Sequence, residues 1–197
     1  MRRETFSTQG PLRLELKLAA GEIELEAAAT DETTVELEPL SDNDASRAAV
    51  EDARVQLRER GDGHELVVAV REPRFGFSNI EVRLTVRAPE GAAVDLATAS
   101  ADVRGHGRFG DVEAKTASGD VRFDEVASFK GRLASGNVSV QSVRGAASVN
   151  SASGDAEIGH LAGDGEFRTA SGDVGIEQAD ASLSVHTASG DQEIGSV

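Results

Sequence analysis

The sequence predicts an all-β fold, a single parallel β-solenoid with coils of about 18 residues, and three observations support this. A six-residue motif, Thr116-Ala-Ser-Gly-Asp-Val121, recurs whole or altered through the second half of the chain. Its serines stand at positions 100, 118, 135, 153, 171 and 189, so the steps are 18, 17, 18, 18 and 18 residues. Residues between the motifs alternate polar and apolar, as half-buried strands require. We expect one domain over residues 1–197, with irregular coils and a hairpin over 5–93 and six repeats over 94–197.

The N-terminal section also alternates, which predicts strands with one buried face. Leu12–Leu18 alternates strictly, and the pattern returns at Ile23–Leu25 and Thr33–Leu37. Gly21 indicates a tight turn between the first two runs. We expect residues 5–38 to form two irregular coils or a small sheet that begins the stack.

One short helix interrupts the strands of the N-terminal section. Alanines at positions 45, 48, 49 and 53 follow one another at helical spacing. Asp42 or Asp44 stands where a helix cap is needed, because carboxylate oxygens accept hydrogen bonds from the free amides of a first turn.

The residues after this helix predict a hairpin, a loop and one further strand. Val55–Arg58 and Leu66–Val70 flank a glycine-containing turn, the pattern of a β-hairpin. Pro73–Phe77 predicts a loop with two exposed phenylalanines. Ile80–Val86 is a clearly amphipathic strand, and Ala88–Gly91 predicts the turn that ends it.

Each repeat predicts two strands, one before and one after the motif, whose apolar residues face a single narrow core. The first strands carry the pairs Val112/Ala114, Phe129/Gly131, Ala147/Val149, Gly165/Phe167 and Leu183/Val185. The second strands carry Val121/Phe123, Val138/Val140, Ala156/Ile158 and Val174/Ile176.

The motif itself predicts the corner between the two strands. We expect its glycines to adopt positive φ, its small alanines and serines to let coils approach closely, and its Asp or Asn to accept hydrogen bonds from turn amides. The corner residues are Ser118, Gly119, Asp120, Ser135, Gly136, Asn137, Ser153, Gly154, Asp155, Ser171, Gly172, Asp173, Ser189, Gly190 and Asp191, with Asp102 in the same column.

These repeats, together with Val86-Arg-Ala-Pro-Glu-Gly91 leading into Thr98, resemble a bacterial domain family of unknown function. That family has β-strand repeats and is often labelled "putative adhesin". The resemblance covers roughly residues 5–197 and implies a β-solenoid that is typically bacterial. It implies no catalytic residue.

Composition excludes several classes of function. A net charge of −15 disfavours a duplex nucleic-acid binder, and the absence of Trp and Tyr removes the aromatic platforms that usually stack on sugars or bases. The absence of cysteine excludes disulfides and thiolate sites.

With no signal sequence and no apolar run of about 18 residues, we expect a cytoplasmic protein without a membrane span. Residues 98–150 carry six acids and seven bases, whereas residues 151–197 carry nine acids and one base, so one end of the stack should be acidic.

Three patterns that suggest ligand sites have simpler interpretations. Gly105–Gly110 matches a dinucleotide-binding loop in letters, but a strand and not a helix follows, so we expect a turn between coils. The Asp column suggests calcium, yet each Asp has only Ser as a local co-ligand, so we expect no metal and no cofactor. The four histidines stand apart and are expected to be solvated.

The sequence therefore favours a non-catalytic structural or interaction module, adhesin-like or a self-assembling scaffold. It would bind a protein partner, or itself, through a solenoid face or end. The alternative is a carbohydrate-binding or polysaccharide-cleaving β-helix that uses surface carboxylates. Its candidates are Asp120, Asp155, Asp173 and Glu157.

Overall fold

A computed structural model describes residues 1–70 and 80–196, which form seventeen strands and one helix. Pro73–Phe77, predicted to be a loop, lies outside these residues. The helix is α1 (Asp44–Glu51), between the fourth and fifth strands. The strands are β1 (Arg2–Ser7), β2 (Leu12–Leu18), β3 (Gly21–Ala28), β4 (Glu32–Pro39), β5 (Arg54–Arg60), β6 (Gly63–Ala69), β7 (Val82–Pro89), β8 (Ala93–Thr98), β9 (Asp102–Thr116), β10 (Val121–Leu133), β11 (Val138–Val143), β12 (Ala147–Ser151), β13 (Ala156–Leu161), β14 (Gly165–Ser171), β15 (Val174–Ala179), β16 (Leu183–Ser189) and β17 (Gln192–Ser196).

Strand pairing arranges these elements in two hydrogen-bonded series, which we call face A and face B. The order in face A is β5, β6, β2, β8, the C-terminal halves of β9 and β10, β12, β14 and β16. The order in face B is β1, β4, β7, β3, the N-terminal halves of β9 and β10, β11, β13, β15 and β17. All pairs are parallel except β1–β4, β4–β7 and β5–β6, which confirms the predicted solenoid and its hairpin.

The register follows the spacing of the motifs. Val121 pairs with Val138, Val138 with Ala156, and Ala156 with Val174, so the strands are offset by one motif step each time. The predicted inward pairs are buried through β15, and the two faces contribute them to one continuous core. Phe109, Phe129 and Phe167 are its largest fully buried side chains.

The coil formed by β2 and β3 lies inside the stack, whereas residues 5–38 were predicted to begin it. β2 pairs with β6 on one side and β8 on the other, while β3 pairs with β7 and β9. β1 and β4 are antiparallel strands outside this coil. The prediction was wrong because two later strands, β6 and β7, form the coil that precedes β2 and β3 in space.

Asn43 caps the predicted helix, instead of Asp42 or Asp44. The Asn43 Oδ1 atom accepts a hydrogen bond from the Ser46 amide at 2.6 Å, whereas Asp44 is already helical. At the other end, the Arg2 guanidinium donates to the carbonyls of Glu51 and Ala53 at 3.0 and 2.6 Å. No helix within residues 1–70 or 80–196 has the length and apolar character needed to span a bilayer.

Gly105–Gly110 lies where β9 passes from face B to face A, so the predicted turn between coils takes the form of a bend within one continuous strand. The bend contains a β-bulge, and the register between β9 and β10 shifts between Phe123 and Glu125. Gly107 has φ +91°, and its amide donates to Asp124 Oδ2 at 3.0 Å. The Phe123 ring fills the space that a side chain at Gly105 would occupy and packs edge-on against Phe109 at 5.5 Å.

Candidate functional site

The Asp and Asn residues of the motif form a ladder of hydrogen bonds that joins successive coils. Each side-chain Oδ1 atom accepts a hydrogen bond from the backbone amide of the equivalent residue in the next coil. The predicted acceptor role is therefore confirmed, but the donor belongs to the next coil and not to the same turn. The donor–acceptor pairs are Asp120–Asp102 (3.1 Å), Asn137–Asp120 (3.0 Å), Asp155–Asn137 (3.0 Å), Asp173–Asp155 (2.9 Å) and Asp191–Asp173 (2.7 Å). We call this row the Asx ladder.

Backbone bonds reinforce the Asx ladder at every corner. The backbone amide that follows a ladder residue donates to the carbonyl of the ladder residue in the next coil. For example, the Ala156 amide, which follows Asp155, donates to the Asp173 carbonyl at 2.9 Å. The serine amides bond to the preceding coil as well, for example Ser171 to the Ala152 carbonyl at 2.9 Å. The corner is therefore a continuous inter-coil connection, and its Ala and Ser side chains are left exposed.

The corner glycines do not adopt positive φ, which corrects the prediction. Glycines with positive φ among the described residues are Gly10, Gly21, Gly61, Gly91 and Gly107, all outside the motif corners. The motif needs glycine because adjacent corners are too close for a side chain. A Cβ atom at Gly119 would overlap the Ala101 carbonyl oxygen, and one at Gly136, Gly154, Gly172 or Gly190 would overlap the carbonyl oxygen of the preceding corner glycine.

Replacing Asp155 with Ala should destabilise the fold, because the Asp173 amide loses its acceptor. We expect a loss of about 0.5–1.5 kcal/mol, the net value of one hydrogen bond. Asp155→Asn is the matched control and should change stability little, since Asn137 already has this role in the ladder. Urea unfolding measures both. Equal losses from the two variants would contradict the ladder's role in stability.

Two histidines lie beside carboxylates of the next coil, although isolated solvated rings were predicted. His160 Nε2 is 2.8 Å from Asp180 Oδ2, and His106 Nδ1 is 3.5 Å from Asp124 Oδ2. Hydrogen bonds from Gln178 and then His160 lower the pKa of Asp180. Sequence reasoning missed these pairs because the partners are separated by about one coil, so only the register reveals them.

The C-terminal coil leaves the core open. β16 pairs with β14 and β17 with β15, and among the described strands neither has a partner on its other side. Ile194 is 40% exposed, whereas its register neighbour Ile176 is 1% exposed. Val185 is only partly buried next to the fully buried Phe167.

The opposite end of the stack is covered by antiparallel strands. The antiparallel strands β5, β4 and β1 lie outside the last parallel coil, and α1 connects the two faces. Ser46, Ala49 and Val50 are the buried positions of the helix. The two ends of the solenoid therefore differ. We call the end with the antiparallel strands the covered end and the end with β16 and β17 the open end.

Face B carries a shallow acidic groove near the open end, with a volume of about 620 Å³. Glu157, Glu177 and Glu193 stand at its outward positions. The glycines between them form its floor; a Cβ at Gly159 would lie 2.5 Å from the Gln141 carbonyl oxygen, whereas Gly175 has free space above it. Three of the nine acids of residues 151–197 therefore lie together on face B.

Three of the four carboxylates of the polysaccharide hypothesis lie at the motif corners, and the fourth lies on face B. Asp120, Asp155 and Asp173 each use one oxygen in the Asx ladder, and Glu157 lies two residues beyond Asp155 on face B. Residues 1–70 and 80–196 contain no group of three or more His, Asp or Glu side chains arranged to hold a metal ion. Polysaccharide cleavage stays a hypothesis.

A family model of the Toastrack DUF4097 domain matches residues 12–196, which is nearly the whole chain. The chain belongs to the Toastrack DUF4097 family. This match confirms the predicted resemblance to a family of unknown function with β-strand repeats. It also supports the solenoid fold that the motif spacing predicts.

Solved structures similar to this Toastrack chain include proteins described as adhesins. A putative cell adhesion protein from Clostridium sporogenes ATCC 15579 is 9% identical, with 100% of this chain and 99% of that chain covered at a TM-score of 0.47. A putative adhesin from Bacteroides fragilis NCTC 9343 is 10% identical, with 98% and 96% covered and a TM-score of 0.42. One from Parabacteroides distasonis ATCC 8503 is 12% identical, with 98% and 96% covered and a TM-score of 0.39. No curated protein matches the chain.

Proposed function

We propose that this Toastrack chain is a non-catalytic interaction module that self-associates through its open C-terminal end. The observation that carries the proposal is the asymmetry between the two ends of the stack. Strands β16 and β17 present parallel edges without a described partner and leave Ile194 40% exposed. At the opposite end β1 and β5 also have one described partner each, but they run antiparallel to it, and α1 joins the two faces there. Unpaired strand edges are natural templates for pairing with another chain.

A second copy of the same chain fits this end best. The covered end offers no parallel coil for head-to-tail stacking, so two open ends must meet about a two-fold axis. Such an axis brings β16 and β17 against their equivalents in antiparallel pairing. The contact covers Ile194, Leu183 and Val185, which are the incompletely buried apolar residues of the last coil.

Charge opposes this contact and makes it sensitive to salt. The last coil, residues 183–196, contains Asp191 and Glu193 but no Lys or Arg. Two copies meeting here bring like charges together, and dissolved salt screens exposed charges over about 10 Å at 0.1 M. Self-association should therefore be stronger at high salt.

Sedimentation velocity over a wide concentration range, at low and high salt, tests the proposal. We expect a monomer–dimer equilibrium that shifts toward dimer with salt. Ile194→Lys should abolish the dimer because it places a charge in the contact. Thr5→Lys, an exposed position on β1 at the covered end, is the matched control and should leave the dimer intact. A monomer at every concentration and salt, or equal effects of the two variants, would overturn the proposal.

A further inference from the structure

Seven outward positions of face A form one row that is invisible in the linear sequence. The register aligns Lys17 with Ala97, Lys115, Arg132, Asn150, Arg168 and His186 on seven successive strands. We call these residues the basic row. It contains four Lys or Arg residues and no acid, in a chain whose net charge is −15. At a strand separation of about 4.8 Å, the row is roughly 29 Å long.

The cations of the basic row are accessible. The side chains of Lys17, Lys115, Arg132 and Arg168 are 56%, 53%, 54% and 56% exposed. Their partners are acids of the neighbouring outward column, at 2.6 Å for Lys17–Glu15, 3.1 Å for Lys115–Glu113 and 2.5 Å for Arg168–Glu166. Exposed ion pairs of this kind contribute little to stability, so the cations can exchange partners with a ligand anion.

Positive charge is in excess at the centre of the row. Lys115 and Arg132 share Glu113, and Lys130 aligns with Glu113 on the next strand. None of the ion pairs found among the described residues includes Lys130. The hydrogen bond from Lys115, followed by the charges of Lys115, Lys130 and Arg132, lowers the pKa of Glu113. Three cations therefore lie around Glu113, while Asp95, the next acid of the same column, pairs with Arg13 at 2.5 Å.

Neutral hydrogen-bonding groups accompany the row at the same period. The Asn150 amide is a member of it, and the exposed motif serines follow three residues after the row positions, at Ser118, Ser135, Ser153, Ser171 and Ser189. Amides and hydroxyls donate and accept hydrogen bonds, which suits a ligand that carries hydroxyls as well as anions. Trp and Tyr are absent from the sequence, so neither sugar rings nor nucleobases have their usual stacking platforms, and recognition on this face rests on charge and hydrogen bonds.

We propose that the basic row binds a linear polyuronate, a polymer of carboxylated sugars, which lies across the strands of face A. Lys and Arg pair with the carboxylates, while Asn150 and the serines bond to sugar hydroxyls. The regular strand spacing presents these groups as a straight array to a repeating polymer. The polymer is bound and no bond in it is broken. The four cations of the row lie on β2, β9, β10 and β14, outside the last coil, so binding does not depend on self-association.

Binding of polygalacturonate fragments, measured by isothermal titration calorimetry, tests this proposal. We expect saturable binding at low salt that weakens as salt rises. Fully methyl-esterified fragments, which keep the sugars but lose the charges, should not bind. The double variant Lys115→Gln, Arg132→Gln should weaken binding by about tenfold or more, because two charge-assisted contacts are lost.

A matched control removes the same charge from the other face. Arg104 and Arg122 are register neighbours on face B, so Arg104→Gln, Arg122→Gln should leave binding unchanged, as should Ile194→Lys. Melting temperatures close to that of the wild type establish that the variants are folded. Equal weakening by the two double variants, no binding of polygalacturonate, or tighter binding of polyphosphate or poly(dT) would overturn the proposal.

Discussion

Deleting residues 1–28 is expected to prevent the rest of the chain from folding, because β2 and β3 form an interior coil. Leu14 of β2 lies between Leu66 and Val94, and Ile23 of β3 lies between Leu84 and Val103. The truncated chain would have to close this gap or expose the core on both sides of it.

The buried area of this coil indicates how large the effect should be. Leu14, Leu16, Ile23 and Leu25 are each at most 1% exposed. Burying one such side chain contributes about 1.5–3 kcal/mol. Four of them together match the net stability of an entire domain, about 5–15 kcal/mol. We therefore expect chain 29–197 to show no cooperative thermal transition by circular dichroism.

The matched control is chain 1–182, which lacks the last coil. Its removal leaves no gap, because β16 and β17 have described partners on one side only. This shorter chain should melt cooperatively at a lower temperature than the full chain. If chain 29–197 melts cooperatively and chain 1–182 does not, then the coil order described for the stack is wrong.

The repeated half of the fold could be predicted because every residue of a coil has a counterpart one motif later. Val121, Val138, Ala156 and Val174 share a parity in the sequence and a buried column in the structure. A constant period leaves a single parallel register for these strands. The same reasoning explains why the Asx ladder was foreseen as a set of acceptors, although not which amides donate.

The order of the N-terminal coils could not be predicted, because alternation reveals a buried face and not the neighbouring strands. Leu12–Leu18 has the pattern of a half-buried strand wherever it pairs. Its position between β6 and β8 depends on long-range pairing that no local signal encodes. The basic row was missed for the same reason, since Lys17 aligns with Lys115 only once β2 is placed beside β8.

Local ambiguity accounts for the other errors. Asp42, Asn43 and Asp44 are all good helix caps, and only the observed hydrogen bond from the Ser46 amide to Asn43 Oδ1 distinguishes them. A glycine also has two separate uses, since it permits positive φ and it permits close approach of backbones. The letters of the motif are the same in both cases, whereas the structure shows close approach.

Gly172→Val should destabilise the fold by about 1–3 kcal/mol, the usual cost of overpacking. The cause is steric, because a Cβ atom at this position overlaps the Gly154 carbonyl oxygen and lies 2.8 Å from the Gly154 carbonyl carbon. Backbone atoms of a hydrogen-bonded corner cannot move aside without weakening the Asx ladder. Thermal unfolding should show the loss, at about 2–4 °C per kcal/mol for a chain of this size.

Gly175→Val is the matched control, three residues away in the same coil. The nearest atom to a Cβ at Gly175 is Glu157 Cγ at 4.0 Å, and the residue faces outward from β15. Valine is favoured in strands, so this variant should be neutral or slightly stabilising. A positive φ at Gly172 would also make Gly172→Val destabilising, so a further variant is needed to separate the two causes. Asn tolerates positive φ, but its Cβ atom overlaps the Gly154 carbonyl oxygen like that of any other side chain. Gly172→Asn should therefore destabilise about as much as Gly172→Ala, and a fold that accepted Asn but not Ala would refute the steric explanation.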